Sequence, residues 1–133
     1  MTGFIDLVFR HPGTGQFFVV DYKSNRLDPN RTRRYPPARF TPPGMQAEME
    51  HHHYHLQYLL YTLAVHRFLR HRLGDAYELE ETLGGSFYLF FRGMLGEPLG
   101  PDGGAPRGVF HDRPPAVVID ALDRLFADPG AAR

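Results

Sequence analysis

Two short runs of apolar residues open the chain, and each contains one carboxylate. Residues 3–10 (GFIDLVFR) and 16–23 (QFFVVDYK) are typical of strands, and the HPGTG segment between them is typical of a turn. We therefore predict a β-hairpin. Because successive side chains of a strand point to opposite faces, Asp21 and Lys23 share a face, and Asp6 can approach them from the neighbouring strand.

The hydrophobic pattern of the remaining chain predicts two helices and one more strand. Residues 45–72 lack Gly and Pro and repeat apolar positions with the period of a helix, and a last helix spans about 114–127. Residues 86–92 are apolar on both faces, which predicts a central strand. Residues 26–44 and 93–108 are rich in Pro and Gly and are predicted to be loops. The order ββαβα indicates an α/β or α+β layer structure.

Composition limits the class of protein. The chain has 133 residues, enough for one domain with a core, and its 15 basic and 15 acidic residues cancel, so a nucleic-acid site must come from local clustering. It has no cysteine, which excludes disulfides and thiolate chemistry. Without a long apolar run or a signal peptide, we expect a soluble, intracellular domain with no membrane partner. The abrupt start on a strand indicates a fragment of a longer protein.

The first candidate site combines Asp6, Asp21 and Lys23. A Mg2+ ion is commonly held by one or two carboxylates together with water and phosphate oxygens, and a nearby lysine can stabilise charge on a phosphate. The structural alternative is a salt bridge at the end of a strand. A second carboxylate between Ile5 and Leu7 favours the functional interpretation, because a charge in an apolar strand needs a partner.

The long predicted helix offers a second set of polar residues. Its polar stripe contains Gln46, Glu50, His53, Tyr54, Gln57 and Tyr61. From the residues alone, Gln57 and Tyr61 either satisfy one another in the core or line a site, and both interpretations stay open. The histidines at 51, 52, 53 and 55 favour a solvated polar segment over a zinc site, since no complete set of ligands accompanies them.

Arginines form a third candidate group. Arg26, Arg31, Arg33 and Arg34 follow the strand that carries Lys23, and Arg92 ends the third strand. They either grip a phosphate backbone or belong to solvated loops. The chain has no phosphate-binding loop of the Gly-x-x-x-x-Gly-Lys-Ser/Thr type, so no ATP site is expected in this segment.

Two ordered sets of residues carry a resemblance to a known family. The segments Gly-x-Ile-Asp at 3–6 and Asp-Tyr-Lys-Ser-Asn at 21–25 resemble the PD-(D/E)xK nuclease superfamily. The helix sequence from His52 to Leu69 and the Gly-Gly-x-x-Tyr-Leu-Phe-x-Arg-Gly segment at 84–93 are similar to the C-terminal nuclease domain of the RecB family. The resemblance implies a single domain fragment over 1–133 with a restriction-endonuclease-like core, a mixed β-sheet flanked by α-helices.

The resemblance also implies a role for each matching residue. Asp6 and Asp21 would bind Mg2+, or Mn2+ as a substitute, with the main-chain carbonyl of Tyr22. Lys23 would be the catalytic lysine, and Gln57 and Tyr61 would line the active site. The family also places a metal-binding histidine upstream of the first strand. We therefore expect this chain alone to bind metal weakly and to cut DNA poorly.

The implied activity is that of a Mg2+-dependent DNA exonuclease in a RecBCD-type helicase–nuclease of the bacterial cytoplasm. Such an enzyme would act in double-strand break repair and recombination on single strands of unwound DNA. Its partners would be RecC-like and RecD-like subunits, and ATP would serve only the parent helicase.

Two alternatives remain open. One is another nuclease of the superfamily, of the AddAB or CRISPR-associated type, although those commonly carry iron–sulfur cysteines. The other is an inactive docking or DNA-binding module of the same fold. The presence of Asp6, Asp21 and Lys23 together argues against the second.

Overall fold

The computed structural model describes residues 3–24, 37–96, 98–99 and 103–127. The strands are β1 (Leu7–Arg10), β2 (Phe17–Lys23), β3 (Leu83–Phe90) and β4 (Val109–Asp112). The α-helices are α1 (Pro42–His51), α2 (Tyr54–Leu73), α3 (Leu79–Thr82) and α4 (Ala116–Ala127), with 3-10 turns at Pro37–Phe40, Gly74–Ala76 and Phe91–Gly93. None of the described helices is long and apolar enough to span a membrane.

The four strands form one mixed sheet in the order β1-β2-β3-β4. Strands β1 and β2 pair antiparallel, with Leu7 opposite Val20, so the predicted hairpin is confirmed. The third strand pairs parallel with β2 and antiparallel with β4, and it is therefore central, as predicted. Together with the helices, this sheet makes the α/β fold that the sequence indicated.

The glycine pair at the start of β3 forms a β-bulge. The register between β2 and β3 shifts between Phe17 and Phe18, opposite Gly84 and Gly85. Gly85 has a φ of +115°, and a Cβ there would lie 2.5 Å from the main-chain oxygen of Asp112. Because only glycine adopts this backbone without strain and leaves room for the chain of β4, the role of the pair is structural.

The prediction of one helix over residues 45–72 is wrong. The chain breaks into α1 and α2 at His53, which has a left-handed φ of +55°. The predicted loop also ends earlier than expected, because Pro42 and Pro43 occupy the first turn of α1. Proline is tolerated there since the first N–H groups of a helix have no partner within the helix.

Strand β4 was missed, because its residues lie between the predicted loop over 93–108 and the predicted last helix. Its last residue, Asp112, lies just before the predicted start of the last helix, where an aspartate could cap the helix. Instead, the Asp112 carboxylate accepts a hydrogen bond from the Tyr58 hydroxyl of α2, and α4 begins later, at Ala116. The acid therefore ties the edge strand to the helix layer.

The core lies between the sheet and the helices in two clusters. The first joins the 3-10 turn before α1, the helices α1 and α2, and β3, and contains Phe40, Met45, Met49, Tyr58, Tyr88 and Phe90. The second contains Val19, Val65, Leu69 and Leu83. Val19, Asp21 and Lys23 point to the same face of β2, because every second side chain of a strand does so. The second cluster, which contains Val19, therefore borders the polar group that Asp21 and Lys23 form at the end of that strand.

Helix α4 is held against α2 by a partly exposed polar junction. The Asp123 carboxylate accepts hydrogen bonds from Arg67 Nε at 2.5 Å and from Arg70 Nη1 at 2.7 Å. Next to it, His66 is buried, with Nδ1 2.7 Å from the Tyr77 hydroxyl and Nε2 3.3 Å from Arg70 Nη1. Burial lowers the pKa of His66, the Arg70 and Arg67 guanidinium groups lower it further, and Asp123 and Asp120 oppose them.

We expect the free energy of unfolding to fall as the pH drops below about 6.5, the ordinary pKa of histidine. Below that pH, His66 takes up a proton in the unfolded chain but not yet in the folded chain, where its pKa is lowered. The folded state therefore loses stability as the pH falls from about 6.5 to the pKa of folded His66. Urea unfolding of wild type and His66→Gln at pH 7.5 and 5.5 measures this loss. The variant should lose less stability than wild type, whereas His71→Gln, at an exposed position of α2, should behave like wild type. Equal losses in all three proteins would contradict the assignment.

Candidate active site

Asp21 and Lys23 meet at the carboxyl end of β2. The Lys23 ammonium forms an ion pair with Oδ2 of Asp21, and both side chains are largely buried, with 12% and 6% of their surface exposed. Apart from this ion pair, Asp21 Oδ2 has no partner within the described part of the chain. The alternation of side chains along one strand is sufficient to bring these two groups together.

Asp6 also lies close enough to Asp21 to affect its pKa, but it does not lie within a strand as predicted. It lies in a bend just before β1 rather than within a strand, and it is exposed. Its Oδ2 accepts a hydrogen bond of 2.9 Å from the main-chain N–H of Tyr22. The argument that Asp6 needs a partner because it is buried is therefore wrong, whereas the same argument holds for Asp21.

The main chain of Tyr22 brings a further oxygen to this side of β2. Strand β1 pairs with β2 only as far as Val20, so the edge of Tyr22 faces Asp6 instead of a strand. The N–H and C=O of one extended residue point to the same edge of the strand, which places the Tyr22 carbonyl on the side of Asp6. The Tyr22 side chain is 52% exposed and takes no part in the core.

Gln57 of α2 connects the strand residues to the helix. Its Oε1 accepts hydrogen bonds from Lys23 Nζ at 3.0 Å and from the Tyr88 hydroxyl at 2.8 Å. Its Nε2 donates to the hydroxyl of Tyr61, one turn later, at 3.0 Å. The Tyr61 ring in turn packs at Gly3, where a Cβ would lie only 3.3 Å from Cε1. The structure thus arranges Asp21, Lys23, Gln57 and Tyr61 as one chain of polar contacts.

The electrostatics of the group disfavour the ionised form of Asp21. Burial raises the pKa of the Asp21 carboxyl, the Lys23 ammonium opposes the shift, and the negative charge of Asp6 adds to it. Two carboxylates therefore influence each other at a site where water is partly excluded. A divalent cation between them would compensate both charges.

The residues present fit a Mg2+ ion that keeps part of its water. Asp6, Asp21 and the Tyr22 carbonyl supply hard oxygen donors, and Mg2+ commonly takes only one or two protein carboxylates. Within the described ranges, no group of three or more His, Cys, Asp or Glu side chains could hold a metal. The donor set is therefore partial.

Comparison with known proteins gives relatives over nearly the whole chain. It is 43% identical over 127 residues to the RecBCD enzyme subunit RecB of Escherichia coli (strain K12). This match covers 96% of this chain and 10% of that protein. The RecB subunits of Haemophilus influenzae and Mycobacterium tuberculosis are 44% and 42% identical, over 93% and 95% of this chain. The chain belongs to the RecB family. It spans about a tenth of the length of the curated relatives that it matches. No protein-family model matches it.

The arginines predicted to bind nucleic acid divide into two groups in this RecB segment. Arg26, Arg31, Arg33 and Arg34 lie outside the described residues. Arg92 follows β3 and donates from Nε to the Ser24 carbonyl at 2.8 Å. Ser24 directly follows Lys23, so this hydrogen bond places Arg92 beside the end of β2 and links it to the end of β3.

The polar stripe predicted along one helix does not exist in the RecB segment. The helix break at His53 separates Gln46 and Glu50, which hydrogen-bond to each other on α1, from Gln57 and Tyr61 on α2. Only the α2 residues reach Lys23.

Two tyrosines next to Lys23 were missed as site residues. The rings of Tyr54 and Tyr88 lie 4.1 and 5.0 Å from Lys23 Nζ. Both belong to the motifs that carry the family resemblance. Tyr54 was predicted to lie in the polar stripe of the helix but not beside Lys23, and residue type alone gave no reason to separate Tyr88 from core aromatics. The parallel pairing of Asp21 with Tyr88 was the missing signal, because it depends on which strands are neighbours.

Proposed function

We propose that this chain is the nuclease domain of a RecB-type subunit and hydrolyses phosphodiester bonds of DNA with the help of Mg2+. The observation that carries the proposal is the convergence of Asp21, Lys23 and Gln57 beside the Asp6–Tyr22 contact. A salt bridge at a strand end would not require a second carboxylate or a helix residue aimed at the same ammonium. The family supports the proposal, since the relatives are subunits of the RecBCD enzyme.

Asp6, Asp21 and the Tyr22 carbonyl would hold the cation. When bound, Mg2+ supplies charge compensation for the phosphate and a more acidic water molecule. The raised pKa of Asp21 is compatible with this role, because a buried carboxylate gains most from a cation that replaces its lost hydration.

Lys23 would bind the phosphate that is cleaved. An ammonium group has three N–H donors, and Asp21 and Gln57 engage two of them in the described part of the chain. The third can donate to a phosphate oxygen or orient the attacking water. Since the ammonium is held before the substrate arrives, little reorganisation is needed when negative charge develops.

The substrate that fits this site is the DNA backbone, because the group contains no residue pattern for reading base edges. We propose single strands of unwound DNA as the substrate, exonucleolytic cleavage as the reaction, and double-strand break repair and recombination as the process. RecC-like and RecD-like subunits would complete the assembly, in the cytoplasm of a bacterium. Mn2+ would replace Mg2+, and ATP would be used outside this segment.

Metal binding tests the proposal directly. Titration with Mn2+, followed by electron paramagnetic resonance, should detect weak binding to wild type and binding at least about tenfold weaker to Asp21→Asn. Asp75→Asn removes an exposed carboxylate in the 3-10 turn after α2 and is the matched control. It should bind Mn2+ like wild type. Equal binding by all three proteins would overturn the metal site and favour an inactive docking module.

A further inference from the structure

The Lys23 ammonium is enclosed by aromatic rings as well as by polar partners. Tyr54, at the start of α2, lies closest, and Tyr88, from the neighbouring strand β3, lies on another side. A cation is attracted to the face of an aromatic ring, and more strongly when water is partly excluded, as it is for this side chain.

Tyr88 also acts through its hydroxyl. The residue is fully buried, with 0% of its surface exposed. Its hydroxyl lies 2.8 Å from Gln57 Oε1, the same oxygen that accepts from Lys23, and 3.4 Å from the main-chain oxygen of Tyr54. One hydroxyl thus fixes the amide that orients the lysine and contacts the helix turn that carries the second ring.

The two rings are themselves held in place. They meet edge to face with centroids 5.7 Å apart, and the imidazole of His52 stacks on Tyr54 at 5.2 Å. An aromatic ring with so few rotatable bonds is a more rigid wall than an aliphatic side chain of similar volume.

We propose that Tyr54 and Tyr88 are positioning residues for Lys23: their rings enclose the ammonium, and the Tyr88 hydroxyl orients Gln57 toward it. The inference rests on the proposed nuclease function. A lysine has four rotatable carbon bonds, so an ammonium on an unrestrained stem spends little time in any one geometry. The two tyrosines convert this flexible group into a preorganised donor for a phosphate oxygen.

The first test needs no enzyme activity. Lys23 is the only lysine of the chain, so lysine labelled with 13C at Cε gives one signal. In wild type the adjacent rings should shift its Hε protons upfield and keep its side chain ordered. Tyr54→Leu should move the signal toward that of a free lysine, Tyr54→Phe should preserve it, and Tyr88→Phe should keep most of the shift but lower the order. A wild-type signal at the position of a free lysine, in a folded chain, would overturn the proposal.

The second test measures DNA hydrolysis in a RecB polypeptide that carries this segment. Tyr88→Phe removes a hydrogen bond and Tyr54→Leu removes a ring that faces the ammonium; each should lower kcat on the order of tenfold, with KM unchanged. Tyr54→Phe keeps the ring and should retain the wild-type kcat. In a Lys23→Met background, Tyr88→Phe should not lower kcat further, because Tyr88 is proposed to act on the reaction only through the Lys23 ammonium.

The outcomes separate the two hypotheses. Wild-type rates in Tyr88→Phe and Tyr54→Leu, with cleavage lost in Lys23→Met, would overturn the positioning role and leave the nuclease function intact. Full cleavage in Lys23→Met would overturn the nuclease site itself, whatever the tyrosine variants do.

Discussion

Replacing Lys23 by methionine is expected to lower the rate of Mg2+-dependent DNA hydrolysis by about 100- to 1,000-fold, the usual cost of removing one preorganised donor from a reacting centre. Methionine is unbranched and close to lysine in length, so it can fill the space beside the rings of Tyr54 and Tyr88, and the fold should persist. Release of nucleotides from end-labelled single-stranded DNA, by a RecB polypeptide that carries this segment, measures the effect.

The control must remove a positive charge elsewhere. Arg72 lies exposed in the last turn of α2, and Arg72→Met has the same change of net charge. It should cleave like wild type. If Lys23→Met and Arg72→Met both lose activity equally, the loss reflects general attraction for DNA rather than a role at the reacting phosphate.

Replacing Phe40 by alanine is expected to lower the free energy of unfolding by about 3–5 kcal/mol, the typical cost of removing a large aromatic side chain from a core. Phe40 ends the 3-10 turn before α1 and is fully buried in the cluster that contains Tyr88. The backbone of Gly93 packs on its ring so closely that a Cβ there would lie 2.1 Å from Cγ. Urea unfolding, followed by circular dichroism, measures the change.

Phe68→Ala is the matched control for this prediction. Phe68 lies on α2 with 61% of its surface exposed, so the same deletion removes little buried area. Its effect should be within about 0.5 kcal/mol. A loss as small in Phe40→Ala as in Phe68→Ala would mean that Phe40 does not belong to the core of the chain.

Local rules were sufficient for the hairpin. The alternation of side chains in β2 and the Pro-Gly turn before it predicted the pairing and placed Asp21 and Lys23 on one face. These features depend on neighbours in the sequence, and their physics acts over a few residues.

The same local rules failed at the helices. A pattern without Gly or Pro predicted one helix, yet the chain turns at His53 through a left-handed residue. The break lets α1 place Met45 and Met49 in the core cluster that contains Phe90, while Gln57 of α2 reaches Lys23 of the sheet. Burial of two apolar faces in different directions outweighs the cost of one unfavourable φ angle, and the sequence pattern contains no record of those directions.

The short strand β4 was hidden for a similar reason. Residues 109–112 follow a Gly- and Pro-rich stretch and are too few to show a period. They become a strand because β3 offers them a partner, with Leu89 opposite Val109 and Tyr88 opposite Phe110. Pairing at an edge depends on the neighbouring strand more than on intrinsic preference.

The sequence by itself determined the chemistry available to this RecB segment: two carboxylates and one lysine on a hairpin, with a glutamine and a tyrosine one helical turn apart. Only the tertiary structure decided how they meet. The bend before β1 turns Asp6 toward the Tyr22 amide. The parallel pairing of β2 with β3 brings Tyr88 beside Lys23 and within hydrogen-bond distance of Gln57. These contacts join residues 16 to 67 positions apart, and they are set by the packing of whole elements, because that packing buries far more surface than any single polar contact.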